Sequence, residues 1–152
     1  GAAIFKQERI GRFGRPFYIY KFRSMRLDAE SMGPQLYAGG RDVRLTKIGR
    51  FLREHHLDEL PQLWNVLKGE MSLVGPRPIL DFEIPEYGDR INELWIAKPG
   101  ITGHWTTNGR SKVVFPHRAH LELMYNHKHG LKYDIKCILL TVYQIFNCKD
   151  AY

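Results

Sequence analysis

Apolar residues recur along this chain at the spacings that are typical of strands and helices. Residues 17–22 are aromatic or β-branched and follow a turn-rich stretch at 11–16, so this part predicts a short β-hairpin. Apolar positions return at helical intervals over 44–54, 115–129 and 131–146, and each segment predicts a helix. In the last segment six apolar residues share one side, which suits either core packing or a membrane surface: Ile135, Ile138, Leu139, Val142, Ile145 and Phe146.

Glycine and proline divide the rest of the chain. Pro61 fits the first turn of a short helix that Gly69 ends. Residues 82–97 predict a further helix, broken at Pro85 or Gly88. Shorter features are expected elsewhere: one or two helical turns at 24–31, loops at 33–40 and 98–103, and no regular helix at 75–78.

The length and composition favour one helix-dominated α+β domain over residues 1–152. The formal net charge of +7 favours anionic partners such as nucleic acid, acidic lipid headgroups or a nucleotide. No apolar run reaches the roughly 20 residues that span a bilayer, and no signal peptide is visible. The chain starts abruptly at Gly1, so we expect a further segment upstream of it. Cys137 and Cys148 would lie about 16 Å apart on a helix, too far for a disulfide, so we expect reduced thiols.

Two adjacent carboxylates, Asp58 and Glu59, stand where the helix containing Pro61 should begin. Acids in this position commonly cap a helix and offset its macrodipole. A helix N-terminus also lowers the pKa of an aspartate, which keeps it ionised and able to form an aspartyl-phosphate. Neighbouring acids can hold Mg²⁺ when phosphate oxygens supply further ligands. These residues alone leave capping, nucleophilic attack and metal binding open.

Arg77 stands between two prolines, which restrict the backbone on both sides of it. A guanidinium held in this way can grip phosphate oxygens with little loss of entropy; the alternative is a surface arginine in a turn. Lys21 and Arg23 would point the same way from a strand, and Arg110 follows an Asn-Gly turn that could aim it into a cleft. The other basic residues of this set fit a solvated face: Arg44, Lys47, Arg50 and Arg53.

Several common catalytic motifs are missing from the sequence. The seven histidines lack the ligand spacing of a zinc site. Ser72 has no Gly-x-Ser-x-Gly setting, which argues against serine hydrolysis. Neither a P-loop nor a Gly-x-Gly-x-x-Gly motif is present.

Five short motifs follow one another between residues 20 and 110. Residues 20–25 read Tyr-Lys-Phe-Arg-Ser-Met, residues 57–65 read Leu-Asp-Glu-Leu-Pro-Gln-Leu-Trp-Asn, and residues 75–78 read Gly-Pro-Arg-Pro. Lys-Pro-Gly-Ile-Thr-Gly at 98–103 and Asn-Gly-Arg at 108–110 complete the series. The chain resembles the bacterial polyprenyl-phosphate sugar-1-phosphate transferases, which are monotopic phosphoglycosyl transferases. The ordered series is far more specific than any one of its motifs.

The resemblance implies a reaction and a set of residue roles. Asp58 would be the nucleophile that attacks the β-phosphate of a UDP-sugar and releases UMP, after which polyprenyl phosphate takes up the phosphosugar. Glu59 would act beside it as a catalytic residue and hold Mg²⁺. The expected substrate-binding residues are Lys21, Arg23, Arg77, Arg110 and Glu122.

The resemblance also implies a location. The family has a small monotopic catalytic domain, anchored in one leaflet by an upstream re-entrant membrane helix that we expect to lie outside residues 1–152. Membrane lipids would then be partners, at the cytoplasmic face of the bacterial inner membrane. The reaction would be the first membrane step of polysaccharide or glycan assembly, including exopolysaccharide, capsule and O-antigen.

Two positions depart from the family pattern. Residues 103–107 replace a more usual Leu/Trp-Gln-Val stretch, and Glu122 stands where an aspartate is expected. These changes bear on the substrate more than on the reaction.

Two other functions are possible from the sequence. One is a basic nucleic-acid-binding module, for which no sequence signature appears. The other is a catalytically idle scaffold at a membrane surface, and the intact Asp58, Glu59 and Arg77 argue against it. We therefore expect no nucleic acid partner.

Overall fold

The computed structural model describes residues 2–29, 42–109 and 113–147. Within them the domain is helix-dominated α+β, as expected. The strands are β1 (Ile4–Ile10), β2 (Pro16–Phe22), β3 (Ser72–Val74) and β4 (Gly100–Thr102). The α-helices are α1 (Lys47–Glu54), α2 (Gln62–Leu67), α3 (Ile91–Leu94), α4 (His104–Thr107), α5 (His117–Lys128) and α6 (Leu131–Asn147). Short 3₁₀ segments occur at Arg12–Gly14, Leu27–Ala29, Leu57–Glu59 and Asp81–Arg90.

The predicted hairpin is present and consists of β1 and β2, paired antiparallel. Phe5 lies opposite Lys21, and Arg9 lies opposite Phe17. Residues that face one another across an antiparallel pair share one side of the sheet, and side chains alternate along each strand. The register therefore places Phe5, Arg9 and Lys21 on the same side of the hairpin.

The prediction of a loop over 98–103 is wrong in part, because β4 lies within it and runs parallel to β3. Glycine makes this pairing possible by allowing the two backbones to approach closely. A Cβ atom on Gly75 would lie 2.3 Å from the carbonyl oxygen of Lys98, and one on Gly100 would lie 2.1 Å from the nitrogen of Gly75. These glycines mark a close contact between strands, which sequence reasoning interpreted as a turn signal.

The helices agree with the sequence pattern where their signals are local. Helix α5 falls within its predicted segment, and α6 extends one residue beyond its own. Helix α1 begins three residues later than predicted, after Thr46, whose Oγ1 accepts a hydrogen bond from the Gly49 nitrogen at 2.9 Å. The segment 82–97 is broken at Gly88 (φ 53°), one of the two predicted positions, but it forms a 3₁₀ segment that contains Pro85, followed by the short α3, and not one regular α-helix. The predicted loop at 33–40 and part of the predicted turns at 24–31 lie outside the described residues.

Two apolar clusters hold the elements together. The larger joins the 3₁₀ segment Asp81–Arg90, α3 and α5 through buried residues that include Ile79, Tyr87 and Leu123. The smaller joins β3, α5 and α6 through Val74, Tyr125 and Cys137. Cys137 is a free thiol, only 1% exposed. Cys148 lies outside the described residues.

Apolar side chains on three helices face outward. They include Phe51 on α1, Trp64 and Leu67 on α2, and Leu139 and Phe146 on α6, of which Phe146 is 82% exposed. The predicted apolar side of α6 is therefore largely outside the core, which meets the helix through Cys137 and its neighbours. In the part of the chain that the structure describes, no helix has both the length and the apolar character to cross a bilayer.

Candidate active site

The two candidate carboxylates lie on the 3₁₀ turn Leu57–Glu59, between α1 and α2. The amide of Asn65 on α2 fixes this turn against the hairpin. Its Oδ1 accepts from the Tyr20 nitrogen at 3.1 Å, and its Nδ2 donates to the Tyr18 carbonyl at 2.7 Å. Because Asn65 is fully buried and satisfied by these contacts, it holds α2 on β2 and brings the carboxylates beside Lys21.

Helix capping does not explain these carboxylates. The N-cap position of α2 is Pro61, and no side chain makes a capping hydrogen bond to α2 or to the turn Leu57–Glu59. The expectation that a helix N-terminus lowers the pKa of Asp58 is also wrong. Asp58 is only 7% exposed, and burial, followed by repulsion from Glu59, raises its pKa although Lys21 and Arg53 act in the opposite direction.

Asp58 and Glu59 line a cavity of about 250 Å³ whose other charged walls are mainly basic. Lys21 Nζ lies 2.9 Å from Glu59 Oε1. Arg53 Nε lies 4.0 Å from Asp58 Oδ2 and donates to Ser24 Oγ at 3.0 Å. Burial lowers the pKa of Lys21, and Glu59 opposes this shift by stabilising the ammonium. The carboxylates are thus surrounded by cations that can neutralise added negative charge.

Four buried nitrogens around the same cavity have no hydrogen-bond partner within the described residues. They are Arg9 Nε, Gln62 Nε2, Arg77 Nε and Trp105 Nε1. A buried donor without an acceptor is unfavourable by about 1–3 kcal/mol, so such groups are rare unless a ligand completes them. Four of them around one cavity fit a ligand rich in acceptor oxygens, such as a phosphate ester.

Arg77 is positioned by an aromatic ring as well as by its two prolines. Its guanidinium carbon lies 5.1 Å from the centroid of Trp105, and that of Arg118 lies 5.0 Å from the same ring. Arg118 is fixed in turn by Glu83 at 2.8 Å and by Glu122 at 2.9 Å. This network fixes Trp105, which forms one wall of the cavity.

Only some of the remaining predicted site residues line the cavity. Lys21 and Arg77 line the cavity, whereas Arg23 lies beside an adjoining cavity and donates to the Ala2 carbonyl at 2.8 Å. Glu122 is 1% exposed and does not line the cavity, because its carboxylate is held by Arg118 and by the Tyr87 hydroxyl. Arg110 lies outside the described residues.

Sequence reasoning did not predict four residues near the site, Arg9, Gln62, Trp105 and Arg118, and it assigned Arg53 to a solvated face. The hairpin register could have identified Arg9, because it shares a side of the sheet with Lys21. Trp105 and Arg118 come from α4 and α5, and no local pattern connects them to Arg77.

The site offers hard oxygen ligands for a divalent cation but not a complete cage. Among the described residues, no group of three or more His, Cys, Asp or Glu side chains is placed to hold a metal ion. Asp58 and Glu59 supply two carboxylates at the cavity wall. Mg²⁺ commonly takes one or two carboxylates together with substrate phosphates, so the residues present fit a shared site of that kind.

An ionisable aspartate faced by guanidinium and ammonium groups, in a cavity with unpartnered donors, defines a class of protein that handles phosphate. The family follows from comparison with known sequences. Residues 1–148 match the model of the bacterial sugar transferase family, and the chain belongs to that family.

Curated relatives agree with this assignment. The chain is 44% identical over 153 residues to the galactosyl transferase CpsE of Streptococcus agalactiae, covering 93% of this chain and 34% of that protein. It is 39% identical over 166 aligned positions to the undecaprenyl-phosphate galactose phosphotransferase of Salmonella typhimurium, covering 100% of this chain and 35% of that protein. A putative undecaprenyl-phosphate N-acetylgalactosaminyl 1-phosphate transferase of Bacillus subtilis is 50% identical over 103 residues, covering 67% of this chain and 52% of that protein. The chain thus spans about a third of the length of the first two relatives.

Proposed function

We propose that this chain is the catalytic domain of an enzyme that transfers a sugar 1-phosphate from a UDP-sugar to polyprenyl phosphate. The observation that carries the proposal is the buried Asp58 in a cavity walled by Lys21, Arg53 and Arg77. The names of the relatives support the same substrate classes, since they include undecaprenyl-phosphate transferases of galactose and of glucose.

In the first step, an oxygen of Asp58 forms a bond to the β-phosphorus of the UDP-sugar. The bond from that phosphorus to the oxygen bridging the two phosphates breaks, and UMP leaves with the bridging oxygen. Arg77, Arg53 and Lys21 line the cavity and would stabilise the negative charge that develops on the phosphoryl oxygens and on the leaving group.

In the second step, an oxygen of polyprenyl phosphate attacks the same phosphorus and expels the Asp58 carboxylate. The product is a polyprenyl diphosphate that carries the sugar, and Asp58 returns to its starting state. Burial of Asp58 favours the first step, because a desolvated carboxylate is a stronger nucleophile than a hydrated one.

We propose Mg²⁺ as the cofactor, held by Glu59 and Asp58 with oxygens of the substrate diphosphate. When bound, it would supply positive charge to the phosphate oxygens. Glu59 is the residue that would hold the ion, and Lys21, which lies 2.9 Å from Glu59 Oε1, would contribute positive charge beside it.

The lipid acceptor places the reaction at a membrane, and we propose the cytoplasmic face of the bacterial inner membrane. The outward-facing apolar residues of α1, α2 and α6 and the formal charge of +7 support contact with anionic lipid. The upstream membrane helix expected from the resemblance would supply the lasting anchor.

The test is UMP release by the full-length protein that contains this domain, with a short-chain polyprenyl phosphate as acceptor. UDP-glucose, UDP-galactose and UDP-N-acetylgalactosamine are offered separately with Mg²⁺. We expect at least one donor to yield UMP, EDTA to stop the release, and Asp58→Asn to abolish it in a folded protein. If Asp58→Asn released UMP at more than about a few per cent of the wild-type rate, Asp58 would be excluded as the nucleophile, since an amide does not attack phosphorus in this way. Failure with every sugar nucleotide would favour the idle scaffold.

A further inference from the structure

A second cavity, of about 450 Å³, adjoins the first and shares part of its wall. Five residues line both cavities: Arg9, Lys21, Arg53, Asp58 and Arg77. The candidate nucleophile and the cations around it therefore lie between two spaces, so that a phosphate held by these residues has two directions in which its organic substituent can extend.

The two cavities differ in the chemistry of the residues they do not share. The first adds the polar groups of Glu59, Gln62 and Thr106, the ring of Trp105, and a smaller apolar set formed by Ile19, Pro78 and Ile101. The second adds apolar side chains: Phe5, Phe22, Met25, Leu27, Leu80 and Phe82. Leu27 and Phe82 are 68% and 67% exposed, so an apolar surface runs from this cavity out to solvent.

The charge of the second cavity selects for an anion. Its described lining includes seven basic side chains, and Asp58 is the one acid among them. Arg26 and Arg44 are partly neutralised by Asp28 at 3.3 Å and Asp42 at 2.8 Å, while Arg9 and Arg77 each bring a buried unpartnered Nε. A basic wall that continues into apolar surface fits a phosphate attached to a hydrocarbon chain.

The stereochemistry of the reaction requires the two substrates to share one phosphate position. In each in-line displacement the attacking and leaving oxygens lie on opposite sides of the phosphorus. UMP departs opposite Asp58 in the first step, and the acceptor must attack opposite Asp58 in the second. The phosphates therefore occupy the shared wall in turn, while the nucleoside and the hydrocarbon are free to extend in different directions.

We propose that the second cavity receives the hydrocarbon end of the lipid phosphate acceptor, and that the first receives the nucleoside of the donor. This inference rests on the proposed function and deepens it. Polar and aromatic groups suit a uridine and a sugar, whereas the surface through Leu27 and Phe82 suits a prenyl chain.

The experiment measures the affinity of three probes for the wild-type chain and two double variants. The probes are UMP, decyl phosphate below its micellar concentration, and inorganic phosphate. The second-cavity variant is Leu27→Gln with Phe82→Gln, at exposed positions that tolerate polar side chains. The first-cavity variant is Gln62→Leu with Thr106→Val, which removes the unpartnered Gln62 Nε2 and a hydroxyl. Titration calorimetry gives the dissociation constants, and thermal melting confirms that each variant is folded.

We expect a crossed result. The second-cavity variant should weaken decyl phosphate about tenfold or more, as the loss of one or two buried apolar contacts predicts, and should leave UMP unchanged. The first-cavity variant should weaken UMP and leave decyl phosphate unchanged. Inorganic phosphate should bind all three proteins alike, because it needs the shared wall alone.

Two outcomes would overturn the inference. One is that a single variant weakens the binding of UMP and of decyl phosphate equally. The other is that the second-cavity variant binds decyl phosphate as tightly as the wild-type chain does. Either leaves the proposed function standing, provided that UMP binds and that UDP-sugars release it. Absence of UMP binding to the wild-type chain would instead count against the proposed function itself.

Discussion

Asp58 is buried where an ionised carboxylate is unfavourable, so its ionisation at neutral pH destabilises the folded chain. Its pKa in the folded chain is raised, mainly by desolvation and then by Glu59. A carboxyl group whose folded pKa exceeds its unfolded value of about 3.9 stabilises the fold fully below that unfolded value. The contribution disappears as the pH rises through the folded pKa.

Asp58→Asn should therefore raise the melting temperature at pH 7, because the amide needs no ionisation. The gain should shrink as the pH falls towards about 4, because the wild-type carboxyl becomes protonated in the folded chain and no longer has to be ionised in its buried site. Thermal melts of both proteins between pH 4 and 8 measure the effect. A variant that melts below the wild type at pH 7 would show that the surrounding cations stabilise the carboxylate by more than burial destabilises it.

Arg77 should not tolerate lysine, although the charge is kept. The guanidinium lies over Trp105 and has an unpartnered buried Nε, and an ammonium group provides neither a planar stacking surface nor a bidentate donor. We expect Arg77→Lys to lower kcat/KM for UMP release by an amount equivalent to about 2.7–4 kcal/mol, the usual loss on removing a transition-state donor. Arg90→Lys is the matched control, since Arg90 is exposed and pairs with Glu93. A near-normal kcat/KM in Arg77→Lys would mean that Arg77 is a surface arginine in a turn and does not contact the reacting phosphate.

At the scale of the elements, α1 depends on one glycine for its position. A Cβ atom on Gly49 would lie 1.8 Å from the carbonyl oxygen of Ser24. The same Ser24 accepts from Arg53 through its hydroxyl, and Arg53 lies beside Asp58. The close packing of this helix is therefore linked directly to the turn Leu57–Glu59.

Gly49→Ala should destabilise the domain by about 1–3 kcal/mol or more, as overpacking does, although alanine is the better helix former. It should also lower the rate of UMP release by displacing Arg53. Chemical denaturation and the UMP assay measure the two effects. Ile48→Ala, at an exposed position on the same helix, is the control and should change stability little. Equal stability of the two variants would mean that α1 can move away from Ser24 without consequence.

The sequence predicts the elements whose signals are local. The hairpin, α5 and α6 each have a complete pattern within a few turns or strands, and the carboxylate turn is marked by Pro61 beside it. The parallel pairing of β3 with β4 could not be predicted in this way, because it joins segments far apart in sequence through glycines that resemble turn residues. The contacts of the Trp105 ring with Arg77 and Arg118 could not be predicted either, because they also join residues far apart in sequence.

Across the whole molecule, apolar helix faces and positive charge coexist on the surface. Exposed apolar residues occur on α1, α2 and α6, and the chain carries a formal net charge of +7. Such a combination favours an interface with anionic lipid, in which burial and electrostatic attraction act together.

We expect the 152-residue chain to float with anionic vesicles at low salt and to detach as salt screens the attraction. Neutral phosphatidylcholine vesicles are the control and should retain less protein. Leu139→Gln with Phe146→Gln should reduce flotation, because both side chains are exposed on α6. No flotation with anionic vesicles at low salt would assign all membrane contact to other parts of the protein.

Cys137 can serve as a probe of how often α6 separates from the rest of the domain. Its sulfur is enclosed where α6 meets β3 and α5, and burial raises its pKa, so a thiol reagent can modify it only when α6 lifts away. In a Cys148→Ser variant, the rate at which Cys137 is alkylated would measure how often α6 opens. Comparing that rate in solution and on vesicles would show how firmly a lipid surface holds the helix, without any assay of catalysis.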